Sequence, residues 1–170
     1  MSQSKLVERG MLEYTDLLYR IAYYYVKDSY VAEDIVQDVF VKLYTSNYEE
    51  QGNLRAYLSR MTANACKDYL RSWSYRKVQL ATKLLFKEKS VQRDGLVQKD
   101  ELNALDEAIL SLPIKQREAI VYYYLEDLSI KEIAELLHRP ESTVKSRLAA
   151  GKELLQKRLA KEEWEVLLHE

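Results

Sequence analysis

Residues 128–159 read LSIKEIAELLHRPESTVKSRLAAGKELLQKRL, and this stretch decides the fold. Ile130, Ile133, Ala134 and Leu137 fall at helical spacing, which gives one short helix a single apolar face. The run His138-Arg139-Pro140-Glu141 breaks that helix, because a proline disfavours helical geometry in the residue before it. Ser142 or Thr143 can cap a second helix, predicted over 142–159, in which Val144, Leu148, Gly151, Leu155 and Leu159 share one side. Two helices around a turn of about four residues read as a helix-turn-helix, whose second helix normally enters the DNA major groove. That helix is also the basic one, with Lys145, Arg147, Lys152, Lys157, Arg158 and Lys161 against Glu153. A helical hairpin whose lysines merely solvate its surface would show the same pattern, so both readings stand at this point.

The rest of the composition limits the choice. Of 170 residues, 47% are hydrophobic and 31% charged, with only four Gly and two Pro, which favours helices over strand-and-turn architecture. A net charge of −1 excludes a uniformly basic nucleic-acid binder, so such an activity must sit on local patches. Cys66 is the one cysteine, so no internal disulfide can form. Its place in a helical pattern predicts a semi-buried, inert thiol. His138 and His169 with one Cys make no metal cluster, and neither a metal nor a cofactor is expected. The opening MSQSKLVERGMLEY lacks a signal-peptide core, and no run approaches the roughly 20 apolar residues of a membrane span. The expectation is a soluble cytoplasmic protein.

Along the chain, helical periodicity begins near Leu12 and runs to Val26 through Leu17, Leu18, Ile21, Ala22 and Tyr25, with a break at Lys27-Asp28-Ser29. In residues 30–44, Ile35, Val36, Val39, Phe40 and Leu43 make one face. Asp34, Gln37 and Asp38 make the opposite face, with Glu33 at its edge. That face is either simply solvated or a dock for a basic protein partner. Residues 45–53, TSNYEEQGN, read as a loop. A helix from Leu54 to about Tyr75 follows, with Leu54, Leu58, Met61, Ala65 and Tyr69 as its apolar face. Arg60, Asn64, Lys67 and Arg71 line a different side in one stripe, with Tyr57, Trp73 and Tyr75 among the cations. Cations hold phosphates and rings stack on unpaired bases, so this helix suits a nucleic-acid strand; a solvated basic helix is the alternative. Residues 76–99 read as a flexible linker. Leu102, Leu105, Ile109 and Leu112 begin a second helical block, which breaks at Pro113 and resumes over 115–125. The predicted fold is all-α, with two small helical domains, 1–75 and 100–165, joined by the linker 76–99.

With both basic helices in view, the chain resembles the bacterial RNA polymerase sigma factors, and more narrowly the extracytoplasmic-function (group IV) members of the sigma-70 family. Asp34-x-x-Gln37-Asp38-Val39-Phe40 matches the acidic-amide motif of region 2.2. Leu54-x-x-Tyr57-Leu58-x-x-Met61-x-x-Asn64-x-x-x-Asp68-x-x-Arg71 sits where the family has its promoter-melting helix. Leu112-Pro113 followed by Arg117-Glu118-Ala119 resembles the start of region 4. Ser129-x-x-Glu132-Ile133-Ala134 and Pro140-x-x-Thr143-Val144-Lys145-Ser146-Arg147-Leu148 resemble the −35-reading helix-turn-helix. The chain departs from the family by having Leu54 and Tyr57 in place of Phe and Trp. It also lacks the family's Gly near Asp127 and its Arg near Ala150.

The resemblance implies a dissociable initiation subunit with no catalysis and no small-molecule substrate. Glu33, Asp34, Gln37 and Asp38 would dock on the coiled coil of the polymerase β′ subunit, and region 4 would meet the β flap. The 54–71 helix and the adjacent loop would hold −10 DNA through Asn47, Tyr48, Arg60, Asn64, Lys67 and Arg71. The 142–159 helix would read −35 DNA through Ser142, Thr143, Lys145, Ser146, Arg147, Ala149 and Ala150, with Lys152 nearer the backbone. Family members are commonly held inactive by an anti-sigma factor, often one tied to the membrane. Two rivals remain on the residues alone. An operator-binding regulator would use the helix-turn-helix but leave the other two stripes idle. The other is a helical adaptor, or an enzyme built on an acid pair such as Asp34 and Asp38, which would lack a histidine, a Gly-rich loop or a metal cluster beside them.

Overall fold

In a computed structural model of the protein, the described residues are 2–49, 52–84 and 103–159, of which 73–84 are described for their backbone alone. All regular structure among them is helical, and the chain divides into two compact units.

The first unit packs three helices on one another: α1 (Gln3–Val26), α2 (Ser29–Thr45) and α3 (Leu54–Leu84). The Ser2 side chain caps α1 by accepting from Lys5 N at 3.3 Å, so α1 starts well before the expected Leu12. Leu6 and Gly10 carry its buried side through the extra turns, whereas Leu12 is 88% exposed and stands outside the core. Gly10 is there for closeness: a Cβ on it would meet Phe40 Cε1 at 3.3 Å and Leu58 Cδ1 at 3.5 Å. Lys27 ends α1 in the left-handed region at φ 61°. Asp28 then starts α2, its carboxylate accepting from Tyr30 N at 2.9 Å and Val31 N at 3.2 Å. The break therefore takes two residues, and Ser29 is already helical.

The expected core of α2 is found in full: Ile35, Val36, Val39, Phe40 and Leu43 are buried. Among the α3 residues whose side chains are described, Leu54, Leu58, Ser59, Thr62, Ala63 and Cys66 are buried. Met61, Ala65 and Tyr69, expected there, are half-buried. The helix is rolled toward small residues. Thr62 tolerates burial because its hydroxyl donates to Leu58 O at 2.8 Å. Cys66 is fully buried, and desolvation pushes its thiol up to about 12. The backbone of α3 continues to Leu84, nine residues past the expected end, so the stretch 76–84 is helical. RKVQLATKL contains no Gly or Pro and is rich in good helix formers, which outweighs its weak apolar stripe. The remainder of the expected linker lies outside the described residues, as does Leu102.

The second unit holds α4 (Ala104–Leu110), α5 (Ile114–Ile120), α6 (Ile130–Leu137) and α7 (Glu141–Arg158). Asn103 and Asp106 close a capping box at α4, with Asp106 N donating to Asn103 Oδ1 at 2.8 Å. Pro113 breaks the chain as expected, and α5 follows at once. It runs into a π-helical turn, Val121–Leu125, where Glu126 N donates back to Val121 O at 3.0 Å. Tyr122 is buried in this turn, while Tyr123 and Tyr124 are half-exposed. Asp127, at φ 55°, occupies the left-handed region that glycine enters at least cost.

Ser129 and Glu132 form a second capping box, at α6, through bonds of 3.0 and 2.9 Å. His138 turns left-handed at φ 53°, and Arg139 N donates to Ala134 O at 3.0 Å, which stops α6. The turn is three residues long. Helix α7 begins at Glu141 with Pro140 before it and no side-chain cap, so Ser142 and Thr143 lie inside its first turn and do not cap it. Val144, Leu148, Gly151, Leu155 and Leu159 are all buried, as the spacing predicts.

Candidate nucleic-acid and protein interfaces

Three exposed surfaces carry the residues singled out by sequence. The first lies on α2. Asp34, Gln37 and Asp38 are exposed and Glu33 is half-buried. The sequence reading missed their apolar neighbours. Tyr30 is exposed, Val41 is 60% exposed and Tyr44 is 57% exposed. Tyr30, Asp34, Gln37, Val41 and Tyr44 follow one another at steps of four, three, four and three, a seam along one face. That mixture of apolar rings and acids is suited to docking a helix with basic flanks, and the 3.5-residue spacing on the solvent side was the signal available.

The second surface lies on α3 and the loop before it. Asn64 and Arg71 are exposed, while Arg60 and Lys67 are half-buried. Arg71 is ion-paired with Asp68 one turn away, both largely exposed, so the pair contributes little to stability. The Tyr48 ring from the loop stacks on Tyr57 of α3, with centroids 4.0 Å apart and planes 17° from parallel. The loop is tied down on its N-terminal side. Ser46 Oγ accepts from Tyr48 N at 3.2 Å and donates to Leu43 O at 2.8 Å. Gln3 Nε2 reaches across to Leu43 O at 3.3 Å and also donates to Ser46 O. Asn47 is exposed beside this anchor; residues 50 and 51 of the loop lie outside the described residues.

The third surface is α7. Ser142, Lys145, Ser146 and Ala149 form its exposed strip, while Thr143, Arg147, Ala150 and Lys152 are half-buried. Ser146 Oγ donates to Ser142 O at 3.1 Å within the helix. Lys152 lies over the Tyr124 ring, 5.5 Å from its centroid. Arg147 departs from the expected strip. Its side chain is 14% exposed and points at α5, where Nη1 lies 3.7 Å from Oε1 of Glu118, a carboxylate only 3% exposed. Sequence spacing could not show this, because the partner sits on another helix.

Among the described residues no group of three His, Cys, Asp or Glu could hold a metal ion, and no helix is long and apolar enough to cross a membrane.

Comparison with known proteins matches both units. Residues 11–74 match the family described as sigma-70 region 2, and residues 102–155 the family described as sigma-70, region 4. The ECF RNA polymerase sigma factor SigW of Bacillus subtilis (strain 168) is 31% identical over 158 residues, which span 86% of this chain and 84% of that protein. The RNA polymerase sigma factor SigV of the same organism is 30% identical over 147 residues, 85% and 86% of the two chains. Among solved structures, the sigma factor RpoE from Bartonella quintana, crystallised with the anti-sigma factor NepR, has a similar fold. The TM-score is 0.70 at 24% identity, over 88% of this chain and 94% of that one. Two sigma regions in order, with relatives this similar along most of their length, mean that the chain belongs to the extracytoplasmic-function group of the sigma-70 family of RNA polymerase sigma factors.

Proposed function

We propose that the protein carries core RNA polymerase to particular promoters by dividing the work among its three exposed surfaces. Helix α2 binds polymerase through Asp34, Gln37 and Asp38, with Glu33 at the edge and Tyr30, Val41 and Tyr44 supplying apolar contact. Helix α7 reads −35 duplex DNA with Ser142, Lys145, Ser146 and Ala149. Thr143 and Ala150 flank that strip, and Lys152 lies nearer the phosphates. Helix α3 and its loop hold the opening −10 element. Tyr57 and Tyr48 offer rings to unpaired bases, Asn64 and Asn47 offer amide contacts, and Arg60, Lys67 and Arg71 meet phosphates.

The observation that supports this reading is that one chain exposes an acidic, aromatic seam on α2 and, separately, polar and basic faces on α3 and α7. A regulator that only bound an operator would need the last of these and leave the others without a use. The polymerase supplies the bond chemistry, and this subunit supplies recognition without catalysis of its own, in the cytoplasm where the polymerase works. Region 4 meets the β flap, and the exposed apolar residues of α2 also suit an anti-sigma factor. Support for that partner comes from the Bartonella quintana RpoE, which is bound to one. Co-elution with core RNA polymerase tests the reading. A sigma factor joins core in a stoichiometric complex without DNA, whereas an independent regulator shifts duplex DNA and leaves core unbound.

A further inference from the structure

The contact between α5 and α7 joins two unusual features on one face of α7. Arg147 and Gly151 are four residues apart and so lie one above the other. At Gly151, an added Cβ would lie 2.7 Å from Ile120 Cγ1 and 3.0 Å from its Cδ1, so the two helices approach closer than any side chain there would permit. One turn earlier, Arg147 meets Glu118 at 3.7 Å, with side-chain exposures of 14% and 3%. The neighbouring α7 contacts, Val144, Leu148 and Leu155, are apolar. An ion pair is a poor choice for stability at such a place. Desolvating a carboxylate and a guanidinium offsets most of their attraction, and an apolar pair of similar volume would serve as well or better. Its distinctive property is direction. Apolar side chains tolerate a helix rolling about its axis, whereas a buried charge pair loses its partner when the helix rolls.

We propose that Glu118 and Arg147 are positioning residues that fix the roll of α7, and that α5 thereby decides which side chains of the recognition helix face the bases. The inference rests on the assignment of α7 to −35 duplex DNA. Side-chain tips lie about 5–6 Å from a helix axis, so a roll of about 20° displaces them by about 2 Å, enough to break a bidentate hydrogen bond to a base edge. Lys145, Ser146 and Ala149 would then still lie near the groove, but out of register with the base edges they read. Contacts to phosphate tolerate that shift far better, because they depend on charge more than on angle.

The test uses the full chain assembled with core polymerase and measures binding to a preferred −35 duplex and to its single-base variants across a salt series. The double variant Glu118→Leu with Arg147→Met removes both charges at similar volume. It is expected to keep the wild-type melting temperature and the wild-type slope of affinity against salt. Its discrimination between the preferred duplex and the variants should fall at least about ten-fold, the scale of one lost bidentate base contact. Arg147→Lys, which keeps the charge but not the planar fork, should lose discrimination by several-fold at an unchanged salt slope. If the double variant folds poorly, Arg147→Lys decides the matter alone.

Wild-type discrimination in both variants would overturn the proposal. So would a salt slope reduced by about one in the double variant, because Arg147 would then be a phosphate contact itself. Failure of the wild-type holoenzyme to discriminate any duplex would instead remove the −35 assignment on which the proposal stands.

Discussion

The rings of Tyr48 and Tyr57 lie 4.0 Å apart and nearly parallel, joining the loop before α3 to the first turns of that helix. The pair forms an aromatic surface beside the start of α3, which the proposed function assigns to an unpaired −10 base. Tyr57→Ala should weaken binding of the single-stranded −10 element by about 1–3 kcal/mol, the usual loss for one base–aromatic stack. Duplex −35 binding should be unaffected. Anisotropy titrations with the two oligonucleotides check this, and equal losses on both would show a folding defect instead.

The proposed docking face of α2 gives the second prediction. Asp34→Lys with Asp38→Lys should abolish co-elution with core polymerase while the melting temperature stays nearly constant, because exposed charges contribute about 0–1 kcal/mol to stability. Val41→Ala and Tyr44→Ala should each weaken the complex without changing its salt dependence, since they remove apolar contact and not charge. Binding of the double lysine variant at wild-type strength would remove α2 from the polymerase interface.

Gly151→Ala sets two effects against each other. Alanine is the better helix former by about 1 kcal/mol. Its methyl, however, would press on Ile120 Cγ1 at 2.7 Å, and Cγ1, bonded directly to Cβ, can move away only if the whole buried side chain changes its χ1 angle or the backbone shifts. Overpacking of this kind costs about 1–3 kcal/mol, so the steric term should win. Thermal unfolding should show region 4 melting several degrees lower, at about 4–8 °C per kcal/mol for a domain of this size. A rise in melting temperature would mean that α5 and α7 can move apart freely.

The buried thiol makes the stability depend on pH at the alkaline end. Cys66 titrates at about 12 in the folded protein against an ordinary value of 9.0, because burial opposes the thiolate. Its folded pKa is the higher one, so its contribution is complete below pH 9 and is lost as pH rises from about 9 toward 12. Native protein at pH 8 should react with a thiol reagent only as fast as α3 opens. Denaturant should accelerate labelling to the rate of a model thiol, and rapid labelling without denaturant would contradict the burial.

How far the sequence could be read depended on where the packing signal was local. The cores of α2 and α7 were legible because large apolar residues repeat there without interruption, from Ile35 to Leu43 and from Val144 to Leu159. The start of α1 was hidden because Gly10 packs by its smallness and carries no hydrophobic signal. On α3 the buried face contains Ser59, Thr62 and Cys66, so counting apolar residues pointed to Met61, Ala65 and Tyr69 instead. The extension of α3 to Leu84 rests on helix propensity in a stretch without an apolar stripe. At the candidate site, the helix-turn-helix pattern pointed to Lys145 and Ser146, and both are exposed. Arg147 was grouped with them because charge on a recognition helix suggests DNA. Its partner, Glu118, could be found only once α5 and α7 were packed together.

The most direct measurement of the central claim is run-off transcription by core RNA polymerase on a genomic promoter library, with and without this protein. The account predicts that core alone gives no promoter-specific transcripts. Added protein should give a discrete set of starts that share two sequence elements at a constant separation. Lys145→Ala should deplete the starts that depend most on the upstream element. The contradictory result is an unchanged transcript pattern on adding the protein, while the protein alone still retards a duplex operator, because α7 would then bind DNA in a chain that is not a polymerase subunit.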